Sequence, residues 1–534
     1  MPDRGSSPHG GHGDESAPLL PSIHVHSPHN GIISIAHEGE SGRSGFHPQH
    51  FISVLWRSSS QVSMLVNILW PFVPAAIILH FVADAPLWTF ATSYIGMVPA
   101  ANLLGFTGSE FARKMPKVAG ILIETTFGSL VEIILFIVLI ANHNPSKGSS
   151  EEGNLIPVIQ AAILGSILTN LLLCLGLCFF FGGLRHTTQK FHAIVSEVGS
   201  GLLLVAAFGL LIPSAFYSAL KSEAAPDVEP TLGVLHDTFT KRKLQADVLQ
   251  ISRAASIALM FAFALYIWFC ASSQHSLFDE VIEMDEHRDA DREEDLQKPK
   301  FTMTETMVAL GVSLVCVTLL LVFLVDEIEH VVRSGVPDQF LGLILLPLVE
   351  KAAEHLTAID EARGEHLITY RPHPLSLKFM LTFAASDGMI NVALYHCLGP
   401  SIQTALFNGP LVVMVAWALG KPLDLNFEIF MIGLLVLSIL VVGNFLRDGE
   451  SNWLEGALLV VRMVDHGFSK TNDIRSNVLT GKQIVYIIIA IACWYYPDPD
   501  VATSNGLEES AMVKVTMTKD MLEQLRQLLN PGPG

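Results

Sequence analysis

Charge is scarce in this chain. Only 16% of its 534 residues are Asp, Glu, Lys or Arg, half are hydrophobic and the mean hydropathy is +0.45, which excludes a soluble protein with an ordinary charged surface. Cysteine is sparse too: all six lie in apolar segments. Cys174 and Cys178 share a helix face with no acid or His beside them, so they are expected as small buried hydrophobes rather than metal ligands or a disulfide. No hydrophobic core opens the chain, because residues 1–50 are rich in Gly, Ser, Pro and His; this argues against a secretory signal peptide and for a disordered cytosolic tail. The signs of a membrane-embedded hydrolase are missing as well, since no Ser stands with a base and Glu354-His355 has no further His three or four residues on. No enzyme, no permanently bound cofactor and no nucleic-acid partner are expected.

What is abundant is apolar length. Crossing ~30 Å of hydrocarbon takes roughly 17–25 residues. Runs of that size fall near 63–82, 87–106, 118–141, 155–182, 198–220, 254–273, 303–325, 339–359, 389–419 and 427–446, with a last one split between 454–461 and 484–496. The expectation is an all-α polytopic membrane protein of about eleven transmembrane helices, with the lipid bilayer as its first partner. Arg113, Lys114 and Lys117 follow the second run and Arg185 and Lys190 the fourth, whereas the loop after the first has no Lys or Arg. That bias places the amino terminus in the cytosol and, with an odd number of spans, the carboxyl terminus in the lumen. Lys241-Arg242-Lys243 points the other way, but in a long and acidic loop. The stretch "FDEVIEMDEHRDADREEDLQ", Phe278 to Gln297, carries much of the net charge of −19 and reads as a solvated linker helix or a cation-attracting cytosolic segment.

Against this background a few polar residues stand out. Glu132 lies inside "TTFGSLVEIILFIVLIA", and a charge at membrane depth costs at least ~3 kcal/mol on insertion scales, so it needs a cavity, a partner or an ion. Its partner is sought in "FLGLILLPLVEKAAEHLTAI", where Glu350 and Glu354 are one turn apart with Lys351 and His355 beside them. Each of these segments is followed by a polar-dotted one: Gln160, Ser166, Thr169 and Asn170 in the first case, Ser401, Gln403, Thr404 and Asn408 in the second. The chain reads as written twice. With the first helix set aside, two groups of five helices would enter the membrane from opposite sides, and such inverted repeats place a substrate site at the midplane where interrupted helices meet. Gly128, Pro347 and Gly399-Pro400 are the expected interruptions. Carboxylates, hydroxyls, amide oxygens and freed carbonyls together suit Ca²⁺ or another hard cation.

Several long segments carry a resemblance: "FARKMPKVAGILIETTFGSLVEI", "ILGSILTNLLLCLGLCFFFGG", "GLILLPLVEKAAEHLTAI", "SIQTALFNGPLVVMVAWALGKPLDLNFE" and "RDGESNWLEGALLVV". Over roughly residues 45–498 the chain resembles the cation/Ca²⁺ exchanger superfamily, and within it the vacuolar-type Ca²⁺/H⁺ exchangers, fungal members above all. The resemblance implies an extra first helix at 61–85 after a tail at 1–60, a first repeat at 86–276, an acidic linker helix at 277–300, a second repeat at 301–498 and a carboxyl-terminal tail at 499–534. It implies a secondary active antiporter, with Ca²⁺ as the transported ion and H⁺ as counter-ion competing for Glu132 and Glu354 as the site alternates between faces. His355, Ser166, Asn170 and Gln403 follow as nearby metal-site residues. A vacuolar membrane is the implied location, with another endomembrane as alternative, and "ESAPLLP", with Glu15 before Leu19-Leu20, matches an acidic dileucine sorting signal. A homo-oligomer is left open.

The departures are specific. Where the family writes Gly-Asn ahead of each glutamate, this chain has Gly128-Ser129 and Glu350-Lys351, and Val322 stands where an acidic residue is usual. Lys351 is expected to pair with Glu350 or to lower the net negative charge of the site. Two stretches, 364–386 and 462–483, have no family counterpart; they are read as retained introns or gene-model errors, or as lineage-specific loops. The alternatives to Ca²⁺/H⁺ exchange are a monovalent cation (Na⁺ or K⁺)/H⁺ exchanger and a transport-inactive membrane scaffold or sensor.

Overall fold

The computed structural model describes residues 41–57, 61–83, 85–115, 120, 123, 126–143, 154–184, 188–223, 240–272, 300–363, 390–460 and 485–494. The dileucine segment, the acidic linker, the 364–386 and 462–483 stretches and the carboxyl-terminal tail lie outside the described residues. Those described are overwhelmingly helical: α1 (Pro48–Arg57), α2 (Gln61–Val66), α3 (Phe72–Val82), α4 (Pro86–Ala112), α5 (Leu130–Asn142), α6 (Ile156–Leu168), α7 (Leu175–Gly183), α8 (Ala193–Leu220), α9 (Lys241–Ser272), α10 (Met303–Asp326), α11 (Ile328–Arg333), α12 (Leu346–Glu350), α13 (Ala352–Arg363), α14 (Ile390–Gln403), α15 (Gly409–Ala418), α16 (Ile429–Phe445), α17 (Trp453–Val460) and α18 (Val485–Trp494). A short antiparallel ribbon pairs Gln189 with Ser451 and Lys190 with Glu450.

Among the described residues, six helical stretches are long and apolar enough to cross a membrane: Ser63–Val82, Ile156–Gly183, Ser196–Leu220, Lys241–Phe269, Met303–Arg333 and Ile390–Ala418. They divide by surroundings. On α9 the exposed large side chains are Ile257, Phe261, Leu265, Trp268 and Phe269, spaced to form one outward apolar stripe that suits acyl chains and would be anomalous against water. The Ile156–Gly183 and Ile390–Ala418 stretches are instead mostly enclosed by other helices. They carry buried Ser166, Thr169, Asn170, Ser401, Gln403, Thr404 and Asn408, so the polar residues of the most enclosed helices face inward.

Close backbone contact builds this centre. The π-helical stretch Leu341–Leu345, which leads into α12, packs against α6. A side chain at Gly342 would come within 2.6 Å of the Ala161 Cβ, and one at Gly165 would run into the Leu343 carbonyl. Two further π stretches, Thr169–Cys174 between α6 and α7 and Thr404–Asn408 between α14 and α15, lie in the same enclosed layer. Such widened turns redirect side chains within a helix and recur at functional sites. Here they differ from the expected break at Gly399-Pro400, because α14 runs straight through Pro400. The distortion falls just beyond it, where the lost proline N–H is followed by a wider turn instead of a chain break.

Within the expected tail at 1–60, residues 48–57 form α1, an ordered amphipathic helix. Val54 packs with Phe301 and Ala309, and Glu305 accepts from the His47 amide at 3.0 Å while facing His50 Nδ1 at 3.0 Å. Glu305 closes a capping box as well: Thr302 Oγ1 accepts from the Glu305 amide at 3.1 Å, and Glu305 Oε2 accepts from the Thr302 amide at 3.0 Å. Thr302→Ala is expected to cost about 1–2 kcal/mol, read as a lower unfolding temperature in detergent with transport retained. Cys174, Cys178 and Cys397 are buried and free of disulfides, with Cys397 Sγ 3.4 Å from Cys174 Sγ and 4.0 Å from Cys178 Sγ.

Candidate functional site

Glu132 and Glu354 occupy equivalent local settings. Each lies in the first turn of a helix that begins directly after a break, α5 after Ser129 and α13 after Lys351. The two break residues share a backbone geometry, φ −97° and ψ 0° at Ser129 against φ −99° and ψ −2° at Lys351. A helix amino terminus presents unpaired amides and a partial positive charge, which favours a carboxylate in that turn. Glu132 is fully buried, whereas 29% of the Glu354 side chain is exposed, so the site is more open on its Glu354 side.

Glu132 is held from the 404–408 turn. Thr404 Oγ1 lies 2.9 Å from both carboxylate oxygens, and Asn408 Nδ2 donates to Oε2 at 3.0 Å. On the other side, His355 Nε2 lies 2.9 Å from Asn170 Oδ1. An amide oxygen only accepts, so this ring nitrogen is the donor. Asn408 follows Thr404 by one turn as Asn170 follows Ser166, and each pair reaches toward the acidic segment from the opposite half of the chain.

The two glutamates meet across a lysine. Lys351, fully buried, places Nζ 3.7 Å from Glu132 Oε2 and 3.3 Å from Glu354 Oε2, and it donates to the Gly128 carbonyl at 3.2 Å. A Cβ on Gly128 would stand 3.5 Å from Glu354 Oε1, in ordinary contact, so that carboxylate packs directly against the break. The expected Lys351–Glu350 pairing is thus replaced. The helix break at Lys351 points its side chain at the two repeat glutamates, and neither oxygen of buried Glu350 makes a hydrogen bond of good geometry among the described residues. The same holds for Ser166 Oγ, Asn170 Nδ2 and Asn408 Oδ1, a set of unsatisfied polar atoms unusual for a protein interior.

Of the residues expected at the site, Glu132, Glu354, His355 and Asn170 are brought together. Ser166 lies within side-chain reach of both Glu132 and Glu350. Gln403 is buried but makes no hydrogen bond to either glutamate among the described residues. Thr404 and Asn408, noted as polar but not assigned, are the direct partners of Glu132. Their spacing in "QTALFN" repeats that of "SILTN", the signal by which they could have been found.

The family model of the sodium/calcium exchanger protein matches residues 85–271 and 306–463, which takes in both glutamates and both polar helices. The chain belongs to that family. The exchanger is 32% identical over 399 residues to vacuolar cation/proton exchanger 2 of Arabidopsis thaliana, covering 74% of this chain and 78% of that protein. It is 28% identical over 532 residues to the vacuolar calcium ion transporter of Cryptococcus neoformans, covering 84% of this chain and 77% of the relative. In fold, the exchanger is similar to the solved structure of native YfkE, with a TM-score of 0.55 at 22% identity, covering 80% of this chain and 99% of that one.

Proposed function

We propose that this exchanger is a Ca²⁺/H⁺ antiporter of the vacuolar or another endomembrane. The observation that carries the reading is the convergence of Glu132 and Glu354 on a single cation position, marked by Lys351 Nζ at 3.7 and 3.3 Å. The names of the relatives, vacuolar cation/proton exchanger and vacuolar calcium ion transporter, support the choice of ion, counter-ion and membrane. In this reading the chain has about eleven spans, with the amino terminus cytosolic, and two inverted repeats of five helices put the glutamates at the midplane. The shared backbone geometry at Ser129 and Lys351 supports the equivalence of the repeats.

Exchange then follows from competition. Facing an acidic lumen, Glu132 and Glu354 take protons; facing the neutral cytosol they release them and bind Ca²⁺ with neighbouring oxygens such as Ser166 Oγ and Asn408 Oδ1. A proton and the ion cannot hold one carboxylate together, so inward passage of one drives outward passage of the other. Thr404 and Asn408 hold the Glu132 carboxylate in place, and His355 is held by Asn170 beside Glu354.

A second reading, monovalent cation/H⁺ exchange, is favoured by one feature: the Lys351 ammonium lowers the negative charge offered to a dication. Acidified vesicles bearing the full chain and a pH-sensitive dye separate the two. External Ca²⁺ is expected to discharge the gradient where Na⁺ and K⁺ at equal ionic strength do not; discharge by Na⁺ or K⁺ without Ca²⁺ establishes the second reading instead.

A further inference from the structure

Lysine at the centre of a cation exchanger is unexpected on charge alone. Its Nζ is surrounded by two carboxylate oxygens and the Gly128 carbonyl, which a helix break leaves free. Those are the ligand types that hold a hard cation. The ammonium therefore sits where a transported ion would be held.

A static salt bridge accounts for part of this arrangement, since an unpaired lysine at this depth is costly. It does not account for Glu350. That residue is adjacent in sequence, buried and within electrostatic reach of Lys351, and it has no ion-pair partner within 4 Å and no hydrogen bond of good geometry among the described residues, with only the Ser166 hydroxyl nearby. A buried carboxylate is retained when something pairs with it, and the flexible four-carbon stem of Lys351 can turn between alternative acceptors.

Resting on the exchange reading above, we infer that Lys351 is a tethered counter-cation that fills the ion site when it is empty and moves to Glu350 when Ca²⁺ enters. The charges balance in the loaded state. Glu132, Glu350 and Glu354 supply three negative charges, and Lys351 and Ca²⁺ supply three positive ones. The 350–351 pair then sets affinity: each arriving ion must displace an internal competitor, and Glu350 receives that competitor without touching the ion.

Half-saturating Ca²⁺ for uptake into acidified vesicles, measured for the full chain and its K351M, E350Q and double variants, tests the inference. K351M removes the competitor and is expected to lower half-saturation at least about tenfold. E350Q removes the receiving group and is expected to raise it about tenfold, while having no effect in the K351M background. Unchanged or raised half-saturation in K351M overturns the inference, as does an E350Q effect that persists in K351M, because Glu350 would then bind the ion directly. If K351M does not reach the membrane, K351Q, which keeps a polar side chain at this position, takes its place in the same set of variants, with the same result expected and the same results overturning the inference. Wild-type uptake with no response to either substitution defeats the inference alone. Absence of uptake in every form defeats the Ca²⁺ reading and the inference with it.

Discussion

Glu132→Gln and Glu354→Gln are each expected to reduce Ca²⁺ uptake to background while leaving the protein in the membrane. At 4 Å and an effective dielectric of 20, a unit charge beside a dication gains about 8 kcal/mol before desolvation. Losing one of the two carboxylates should therefore lower exchange by at least about a hundredfold even if most of that gain is offset. The amide preserves shape, so packing survives. At position 132 Thr404 can still donate to the remaining carbonyl oxygen, although the Asn408 amide would lose its acceptor on the other. The two variants need not match in stability, because Glu132 is fully buried and Glu354 is 29% exposed. Each removes a partner of Lys351, which leaves the ammonium underpaired. Uptake in vesicles matched for protein content checks the prediction, and retained exchange in both would reject the assignment of these carboxylates.

The second large effect concerns packing. Gly165→Val is expected to destabilise the protein by at least about 3 kcal/mol and to abolish exchange, because any side chain there meets the Leu343 backbone. The stretch it would push away, Leu341–Leu345, leads directly into α12 and the Lys351 break, so the strain is delivered to the site. Gly433→Ala in α16 is the control: nothing lies within 4 Å of a Cβ at that position, and alanine favours helix by up to about 1 kcal/mol. Thermal unfolding of the purified proteins in detergent separates them, with a large fall for G165V and little change or a small rise for G433A. Equal behaviour would mean that the α6 crossing is not as close as described.

Much of the site was legible because the membrane makes polar residues conspicuous. Glu132 stands in a run of Leu, Ile and Val and Glu354 closely follows the apolar stretch 340–349, and their depth alone requires a partner. The helix break ahead of Glu132 was legible from Gly128. What could not be read was direction. One-dimensional spacing puts Lys351 next to Glu350, but the helix break at Lys351 aims its side chain at Glu132 and Glu354 instead. Likewise Pro400 looks like a helix breaker, yet α14 absorbs it and widens at Thr404–Asn408, which brings Thr404 and Asn408 onto Glu132. Composition misjudged the stretch at 48–57 for a related reason. Its few apolar residues suffice for order because Val54 packs with Phe301 and Ala309 while Glu305 receives the His47 amide and the His50 ring.

In the proposed exchange a proton gradient drives Ca²⁺ through a site made of Glu132 and Glu354. Its most direct test is Ca²⁺ accumulation by proteoliposomes holding the purified 534-residue chain, with an acidic interior as the sole energy source, with and without a protonophore. Accumulation against the Ca²⁺ gradient is expected, abolished by the protonophore and lacking in E132Q and E354Q. Accumulation that survives collapse of the pH gradient, or that persists in both variants, would contradict it.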